Sequence, residues 1–132
     1  MAIFKPFKAF RPQGSLAQAV ASKPYDVLNS AEAKKEAEGN AHSFLRVIKP
    51  EIELPEGTNP YSDEVYEKGR ENFLKLCRDG VLSQDSTPSY YLYRLTMNGR
   101  SQTGLVGCCE YQEYYEGRIK KHELTRTVKE ND

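Results

Sequence analysis

The sequence predicts an α/β protein of the α+β type, with an antiparallel sheet that contains a hairpin and helices packed on it. Two runs rich in β-forming residues, 90–97 and 103–109, flank a polar connection at 98–102. The connection contains Asn-Gly, and both residues tolerate the positive φ angles of a tight reversal. Residues 63–79 repeat their apolar positions at helical spacing, which predicts a long amphipathic helix.

The N-terminal part predicts short elements. Aromatic residues alternate loosely with lysines in residues 3–10, which predicts a strand that Pro6 places at a sheet edge or bulge. We expect a turn at 11–14 and a short helix at 16–21 that Ser15 caps. Asn29 and Ser30 offer caps for a helix at 31–38. Its Ala, Lys and Glu residues predict a solvated surface helix that buries little.

The middle of the chain predicts a short β-forming segment at 44–48 and an extended loop at 49–60, which holds three prolines. Ser62 precedes the long helix as its cap, and Gly80 follows it as a stop signal. The acidic residues Asp63 and Glu64 suit the positive end of the helix dipole. The predicted buried stripe of this helix consists of Val65, Tyr66, Gly69, Phe73, Leu76 and Cys77.

Composition restricts the classes of function. The 132 residues suit a single domain, residues 1–132, and the 19 basic and 19 acidic residues give zero net charge. Phosphate binding to nucleic acid normally requires a basic surplus, so a nucleic-acid partner is disfavoured. We expect no membrane partner, because no apolar run is long enough to span a bilayer and no signal peptide is recognisable. Three cysteines without metal-ligand spacing fit a reducing compartment, so we expect a cytoplasmic protein.

The cysteines and tyrosines have structural explanations. Cys108 and Cys109 are neighbours on a predicted strand, so one thiol is expected to be buried and the other nearer solvent. They do not point the same way, so we predict no metal site. Tyrosines near the hairpin could stack on bases, but cross-strand aromatic pairs stabilise a hairpin without any ligand. These tyrosines are Tyr90, Tyr91, Tyr93, Tyr111, Tyr114 and Tyr115.

The candidate chemistry lies near the C-terminal end, at His122 and Glu123. Histidine titrates near neutral pH, and a carboxylate serves as a general base when it reaches a substrate hydroxyl. Basic side chains clustered around one acid suit a site that handles phosphate, because they neutralise transferred charge. The surrounding polar residues are Arg118, Lys120, Lys121, Thr125 and Arg126. From spacing alone, a solvated polar loop explains the same residues.

Several segments resemble a known family. They are Pro6-Phe7, Pro24-Tyr-Asp-Val-Leu28, Pro88-Ser-Tyr-Tyr-Leu-Tyr-Arg94, Gly104-Leu-Val-Gly107 and Tyr115-Glu-Gly-Arg-Ile-Lys-Lys-His-Glu-Leu-Thr-Arg126. Together they resemble family 1015 of the domains of unknown function, over essentially the whole chain. The family is related to free-serine kinases and to the ParB/sulfiredoxin-like superfamily, so the resemblance implies part of a ParB/sulfiredoxin-like fold. Family members are about three times longer, which implies that this chain is an N-terminal portion.

The resemblance also implies a function. In the full-length protein we expect a nucleotide-dependent kinase for a small serine-like hydroxyl compound, with ATP or ADP and Mg²⁺. Glu123 is the expected catalytic base and His122 its orienting or phosphate-contacting partner. Lys120, Lys121, Thr125 and Arg126 are expected to contact substrate or phosphate. The later Asp-Gly-His-His-Arg-type motif of the kinases does not occur in these 132 residues.

Two alternatives remain open from sequence. A non-enzymatic nucleotide-binding or regulatory domain would keep the superfamily fold without turnover. A ParB-like nucleic-acid module would bind DNA with steep salt dependence. The residues of this chain alone imply no cofactor, and the substrate, the phosphate donor and the oligomeric state stay undetermined.

Overall fold

The computed structural model describes residues 2–120 and confirms the α+β class. Within that range, short 3-10 helices occupy Gly14–Leu16 and Pro50–Glu53. The α-helices are α1 (Ala17–Val20), α2 (Ser30–Glu36), α3 (Leu45–Ile48), α4 (Asp63–Arg78) and α5 (Tyr111–Tyr115). The strands are β1 (Phe4–Lys5), β2 (Phe10–Pro12), β3 (Leu82–Gln84), β4 (Tyr91–Met97), β5 (Arg100–Val106) and β6 (Cys108–Cys109). None of the helices between residues 2 and 120 is long and apolar enough to cross a membrane.

The described strands form three separate pairs, β1 with β6, β2 with β3 and β4 with β5. The chain divides into two compact units, each with its own packing. Residues 10–83 form one, which we call the helical unit. The other unit contains residues 2–9 and 84–120 of the described range, and we call it the hairpin unit. The candidate site predicted from sequence begins at Lys120, the last described residue of the hairpin unit.

The predicted hairpin is confirmed, with a tighter turn than expected. Strands β4 and β5 are antiparallel, from Tyr91 opposite Val106 to Met97 opposite Arg100. The turn is Asn98-Gly99 alone, with φ angles of 51° and 75°. Positive φ at both central residues is the type I′ geometry, which matches the twist of the flanking strands.

The expectation for the paired cysteines was wrong. Residues 108–109 are not part of β5. They form β6, in which Phe4 lies opposite Cys109 and Lys5 lies opposite Cys108. Both thiols are exposed, and Cys77 on α4 is half-buried. A strand of two residues that pairs with an equally short β1 buries neither face, so alternation along the strand does not bury a thiol.

The core of the helical unit consists of two clusters. The first contains Val20, Leu76, Val81 and Leu82, with Leu16, Phe44, Val47, Phe73 and Cys77 packed against it. The second contains Ala33, Ala37, Leu45 and Ile52, with Leu28 against it. Helix α2 therefore buries more than expected, because Ala33 in the helix and Ala37 directly after it have at most 1% exposure. These small side chains allow the backbone to approach the 3-10 helix Pro50–Glu53 closely.

The start of α2 follows the predicted capping chemistry. The side chain of Asn29 accepts a hydrogen bond from the Glu32 backbone N–H at 2.9 Å. The Glu32 carboxylate in turn accepts the Asn29 N–H at 2.9 Å. This reciprocal capping box satisfies two donors that the first helical turn leaves open.

The β prediction for residues 44–48 was wrong, since these residues form helix α3. The N–H of Lys49 donates to Leu45 O at 2.8 Å, and the N–H of Phe44 donates to Val20 O at 3.1 Å. Leu45 is buried in one core cluster, while Phe44 and Val47 pack against the other. Tertiary packing on two sides therefore overrides the weak β preference of a five-residue segment.

Helix α4 agrees with its predicted start and stop, apart from two side chains. Val65, Gly69 and Leu76 are buried as predicted, but Tyr66 is 56% exposed and lies outside the stripe. The Ser62 hydroxyl makes no capping hydrogen bond. Gly80 follows the helix with φ of 70°. The positive φ is the left-handed conformation that glycine adopts most readily after a helix.

Gly69 is the point of closest approach between α4 and the segment after α3. A Cβ there would lie 2.9 Å from Pro50 Cγ and 3.0 Å from Val47 O. We predict that Gly69→Ala lowers the free energy of unfolding by about 1–3 kcal/mol, because backbone and ring must move apart. Gly14→Ala is the matched control, since a Cβ on Gly14 would meet nothing within 4 Å. Urea unfolding measures both, and equal stabilities would contradict the packing.

Candidate functional site

The structure describes one of the six predicted site residues, Lys120, which is exposed. Glu123, His122, Lys121, Thr125 and Arg126 lie outside the described residues, so their predicted roles stay predictions. The chain segment that leads to them, residues 111–120, is described. It consists of helix α5 and a turn, and it is held by contacts with the rest of the hairpin unit.

Glu113 is the buried polar group of this segment, with 3% exposure. Its carboxylate oxygen Oε2 accepts the backbone N–H of Ile3 at 2.8 Å. The other oxygen, Oε1, is buried without a hydrogen bond and lies 3.8 Å from Arg118 Nη1. Burying a carboxylate is costly unless it is paired, so this arrangement ties α5 to the N-terminal segment and to Arg118.

The backbone of Glu113 holds the turn that follows α5. Its carbonyl accepts the N–H of Arg118 at 2.9 Å and that of Ile119 at 3.1 Å. Gly117 has a φ of 72°, as this reversal after a helix requires. Arg118 Nε also lies 2.9 Å from a carboxylate oxygen of Glu116. Glu113 therefore contacts both the N-terminal segment and the residues directly before Lys120.

The N-terminal segment is also bonded to the start of the hairpin. Phe7 and Ser89 exchange backbone hydrogen bonds of 3.1 and 2.9 Å. The hydroxyl of Tyr91 donates to Asp85 Oδ2 at 2.6 Å and accepts the N–H of Ala9 at 2.9 Å. The rings of Phe7 and Tyr91 meet edge to face at 5.1 Å. One tyrosine thus joins three chain segments of the hairpin unit.

Gly107 allows the close approach of the N-terminal segment to the end of the hairpin. A Cβ on Gly107 would lie 2.5–2.9 Å from ring atoms of Phe4. The Phe4 ring stacks on that of Tyr90 at 5.3 Å, and the Tyr90 hydroxyl donates to Phe4 O at 3.0 Å. Phe7, Tyr90, Tyr91 and Gly107, which belong to the segments quoted for the family resemblance, therefore lie together around residues 4–7.

A second polar cluster lies in the helical unit, around Glu53. One oxygen of Glu53 pairs with Arg46 Nη1, and the other accepts from Asn72 Nδ2 at 2.7 Å. Lys68 Nζ lies 3.8 Å from that second oxygen. Partial burial by itself would raise the pKa of Glu53. The hydrogen bonds from Asn72 and Arg46, with the charges of Arg46 and Lys68, hold the pKa below its ordinary value.

The other two nitrogens of the Arg46 guanidinium also donate hydrogen bonds within the helical unit. Its Nε donates to Asn40 O at 3.0 Å and its Nη2 donates to Ala37 O at 2.9 Å. Asn72 also donates to Arg46 O at 2.8 Å. The cluster thus joins the end of α2, helix α3, the 3-10 helix and α4. Its geometry is that of a structural network.

His42 lies beside this network in a cavity of about 370 Å³. The other polar lining residues are Ser43, Arg46, Glu53, Asn72, Lys75 and Asp79. Sequence analysis gave His42 no role, and no acid between residues 2 and 120 is hydrogen-bonded to its ring. In residues 2–120, no group of three His, Cys, Asp or Glu side chains could hold a metal ion.

Sequence reasoning missed Glu113 and Glu53 as the anchors of the two units. Glu113 has a local signal, because an acid inside the aromatic run Tyr111-Gln-Glu-Tyr-Tyr115 must find a partner if the run is buried. Glu53 has none, since it lies in a proline-rich segment among several other acids. Its importance follows from the three partners that folding brings to it.

Comparison with known proteins gives one match. A family model described as "Protein of unknown function (DUF1015)" matches residues 4–132. No curated protein and no solved structure matches the chain.

The structural role of the Glu113 carboxylate can be tested by removing this group. We predict that Glu113→Ala lowers the free energy of unfolding by about 1–3 kcal/mol, because the Ile3 N–H loses its acceptor. Glu116→Ala is the control, since that exposed carboxylate pairs with the same Arg118 and should cost far less. Hydrogen exchange should show a faster Ile3 amide in Glu113→Ala alone. Unchanged exchange at Ile3 would contradict the contact.

Glu53 should make stability depend on pH. Its pKa is lower in the folded chain than the ordinary value of 4.5, so the folded state binds fewer protons. The stabilisation is complete above about pH 4.5 and is lost as the pH falls through the lowered pKa. We predict that Glu53→Gln costs about 1–3 kcal/mol at neutral pH and much less in acid.

Urea unfolding of wild type and Glu53→Gln at pH 7 and in acid measures this difference. Glu67→Gln is the matched control, because Glu67 forms an exposed pair with Arg70 on the same helical unit. Its effect should be small at both pH values. If Glu53→Gln lowers the free energy of unfolding equally at both pH values, the lowered pKa assigned to Glu53 is contradicted.

Proposed function

Because the chain belongs to the DUF1015 family of proteins of unknown function, we propose that it is the N-terminal part of a nucleotide-dependent kinase. The substrate class is a small molecule with a serine-like hydroxyl. The proposal rests on the block Ile119-Lys-Lys-His-Glu-Leu-Thr125, which is the most specific part of the resemblance to this family, and on the kinship of the family with free-serine kinases. The kinase and ParB/sulfiredoxin-like relationships are part of this proposal.

The observation that supports it best is the anchoring of residues 111–120. A general base must be held within a fraction of an ångström of its substrate, so the segment that carries it must be fixed. Glu113 fixes the segment before the block through Ile3 and through the N–H groups of Arg118 and Ile119. Lys120 is exposed at the end of this segment, where its ammonium group can reach a ligand.

In the proposed reaction, the substrate hydroxyl oxygen attacks the terminal phosphorus of the nucleotide. The bond from that phosphorus to the bridging oxygen breaks, and the shortened nucleotide leaves with the electron pair. Glu123 accepts the hydroxyl proton, and His122 orients Glu123 or contacts the phosphate. Lys120, Lys121 and Arg126 balance the charge of the transferred group, and Thr125 donates a hydrogen bond. No step is assigned to a metal held by residues 2–120.

Turnover of the full-length protein tests the proposal. We predict phosphate transfer from ATP or ADP to free serine or a similar hydroxyl compound, measured by mass spectrometry of the product. Glu123→Gln should lower kcat by about 10²–10⁴-fold with a small change in KM, because general-base catalysis contributes that much. Glu64→Gln, on the exposed start of α4, is the matched control and should keep wild-type turnover.

Two outcomes would count against the proposal. Undiminished kcat in Glu123→Gln removes Glu123 as the base. A full-length protein that binds nucleotide but never consumes it, with any hydroxyl substrate tried, is a binding or regulatory protein instead.

A further inference from the structure

The hairpin of β4 and β5 exposes large apolar side chains on both faces. Leu92 is 75% exposed and Met97 is 76% exposed. The other exposed apolar side chains of the hairpin are Tyr93, Leu95, Leu105 and Val106. A two-stranded hairpin is marginally stable in water, and three or more strands with an apolar face are needed for stability. An apolar surface of this kind marks an interaction site.

Both outer edges of the hairpin are open within the described part of the chain, because β4 and β5 pair only with each other. Met97 and Arg100 flank the two-residue turn, and in such a hairpin the two flanking residues form a hydrogen-bonded pair. Such pairs alternate along an antiparallel ladder. The N–H and C=O groups of Ser101, Thr103 and Leu105 are therefore directed at the outer edge of β5.

The outer edge of β5 is complementary to itself. Antiparallel pairing about a two-fold axis at Thr103 places this residue opposite its own copy. Arg100 then lies opposite Val106, and Ser101 lies opposite Leu105. No like charges face each other, and a threonine pair is among the favourable cross-strand pairs.

Full overlap of two β4 strands at their outer edges is unfavourable. The same operation about the central residue of β4, Arg94, places two guanidinium groups directly opposite each other. Like charges in that position destabilise a strand pair. At full overlap the two edges of the hairpin thus differ, and β5 is the edge that accepts a second copy without opposed charges.

We propose that β5 is the interface to a second copy of this chain. Two β5 strands pair antiparallel about Thr103 and join the two hairpins into one four-stranded sheet in the order β4-β5-β5-β4. The sheet gains the strands that a lone hairpin lacks, and both partners use the same surface, as a two-fold dimer requires. The proposal is independent of kinase activity.

Sedimentation equilibrium of the full-length protein tests the stoichiometry. The expected mass is twice that of one chain at micromolar concentration, with reversible dissociation on dilution. The mass of a single chain over the whole concentration range would overturn the proposal, as would higher assemblies without a dimer.

A pair of cysteine variants tests the edge. Thr103→Cys and Arg94→Cys are compared in a background with Cys108→Ser and Cys109→Ser, which removes the two exposed thiols. Thr103 and Arg94 are cross-strand partners, so the two variants alter the same face and remove the same 3.1 Å hydrogen bond. They differ in the edge that carries the thiol. Arg94→Cys also removes the guanidinium that disfavours β4 pairing, so the absence of a link in this variant is a stringent result.

Mild oxidation should link Thr103→Cys into a disulfide-bonded dimer and leave Arg94→Cys unlinked. At the axis, the two Cα atoms of a hydrogen-bonded pair lie about 5.5 Å apart, within the range of a disulfide. Circular dichroism of both variants should match that of the background chain. Crosslinking of Arg94→Cys, or of neither variant, would overturn the β5 interface even if the chain is a dimer.

Discussion

The hairpin unit depends on the binding of residues 3–9 to segments that lie more than 75 positions later in the sequence. This short N-terminal segment pairs with β6, exchanges hydrogen bonds with Ser89, donates to Tyr91 and reaches the carboxylate of Glu113. Without it, the hairpin and α5 would have few partners among the described residues of their unit. Its contacts are mainly backbone hydrogen bonds and ring contacts, which form only when the contacting atoms are accurately placed.

The helical unit is held in a different way. Its core is made of small clusters, in which Ala33, Ala37 and Gly69 allow close approach of helices. A polar network around Glu53 then joins those helices at one side. A charged network that is partly buried stabilises only when all of its members are paired, and here each oxygen of Glu53 has a partner.

The anchoring of residues 111–120 bears on the proposed function because this segment leads directly to the candidate residues His122 and Glu123. Glu113 uses its side chain to hold Ile3 and its carbonyl to hold Arg118 and Ile119. The same residue thus binds the N-terminal segment through its carboxylate and holds the turn just before Lys120 through its backbone carbonyl. A phosphoryl-transfer site relies on positioning and charge, and such a connection provides the first of these.

The sequence by itself determined the elements that have strong local signals. The Asn-Gly turn, the capping box of α2 and the stop at Gly80 each depend on neighbouring residues, so their chemistry could be read directly. The family, and with it the candidate block at His122 and Glu123, also followed from sequence. The tertiary structure alone decided the helix at 44–48, the burial of α2, the exposure of Cys108 and Cys109, and the roles of Glu53 and Glu113. Each of these depends on contacts between residues far apart in the chain, which leave no periodic pattern in the sequence.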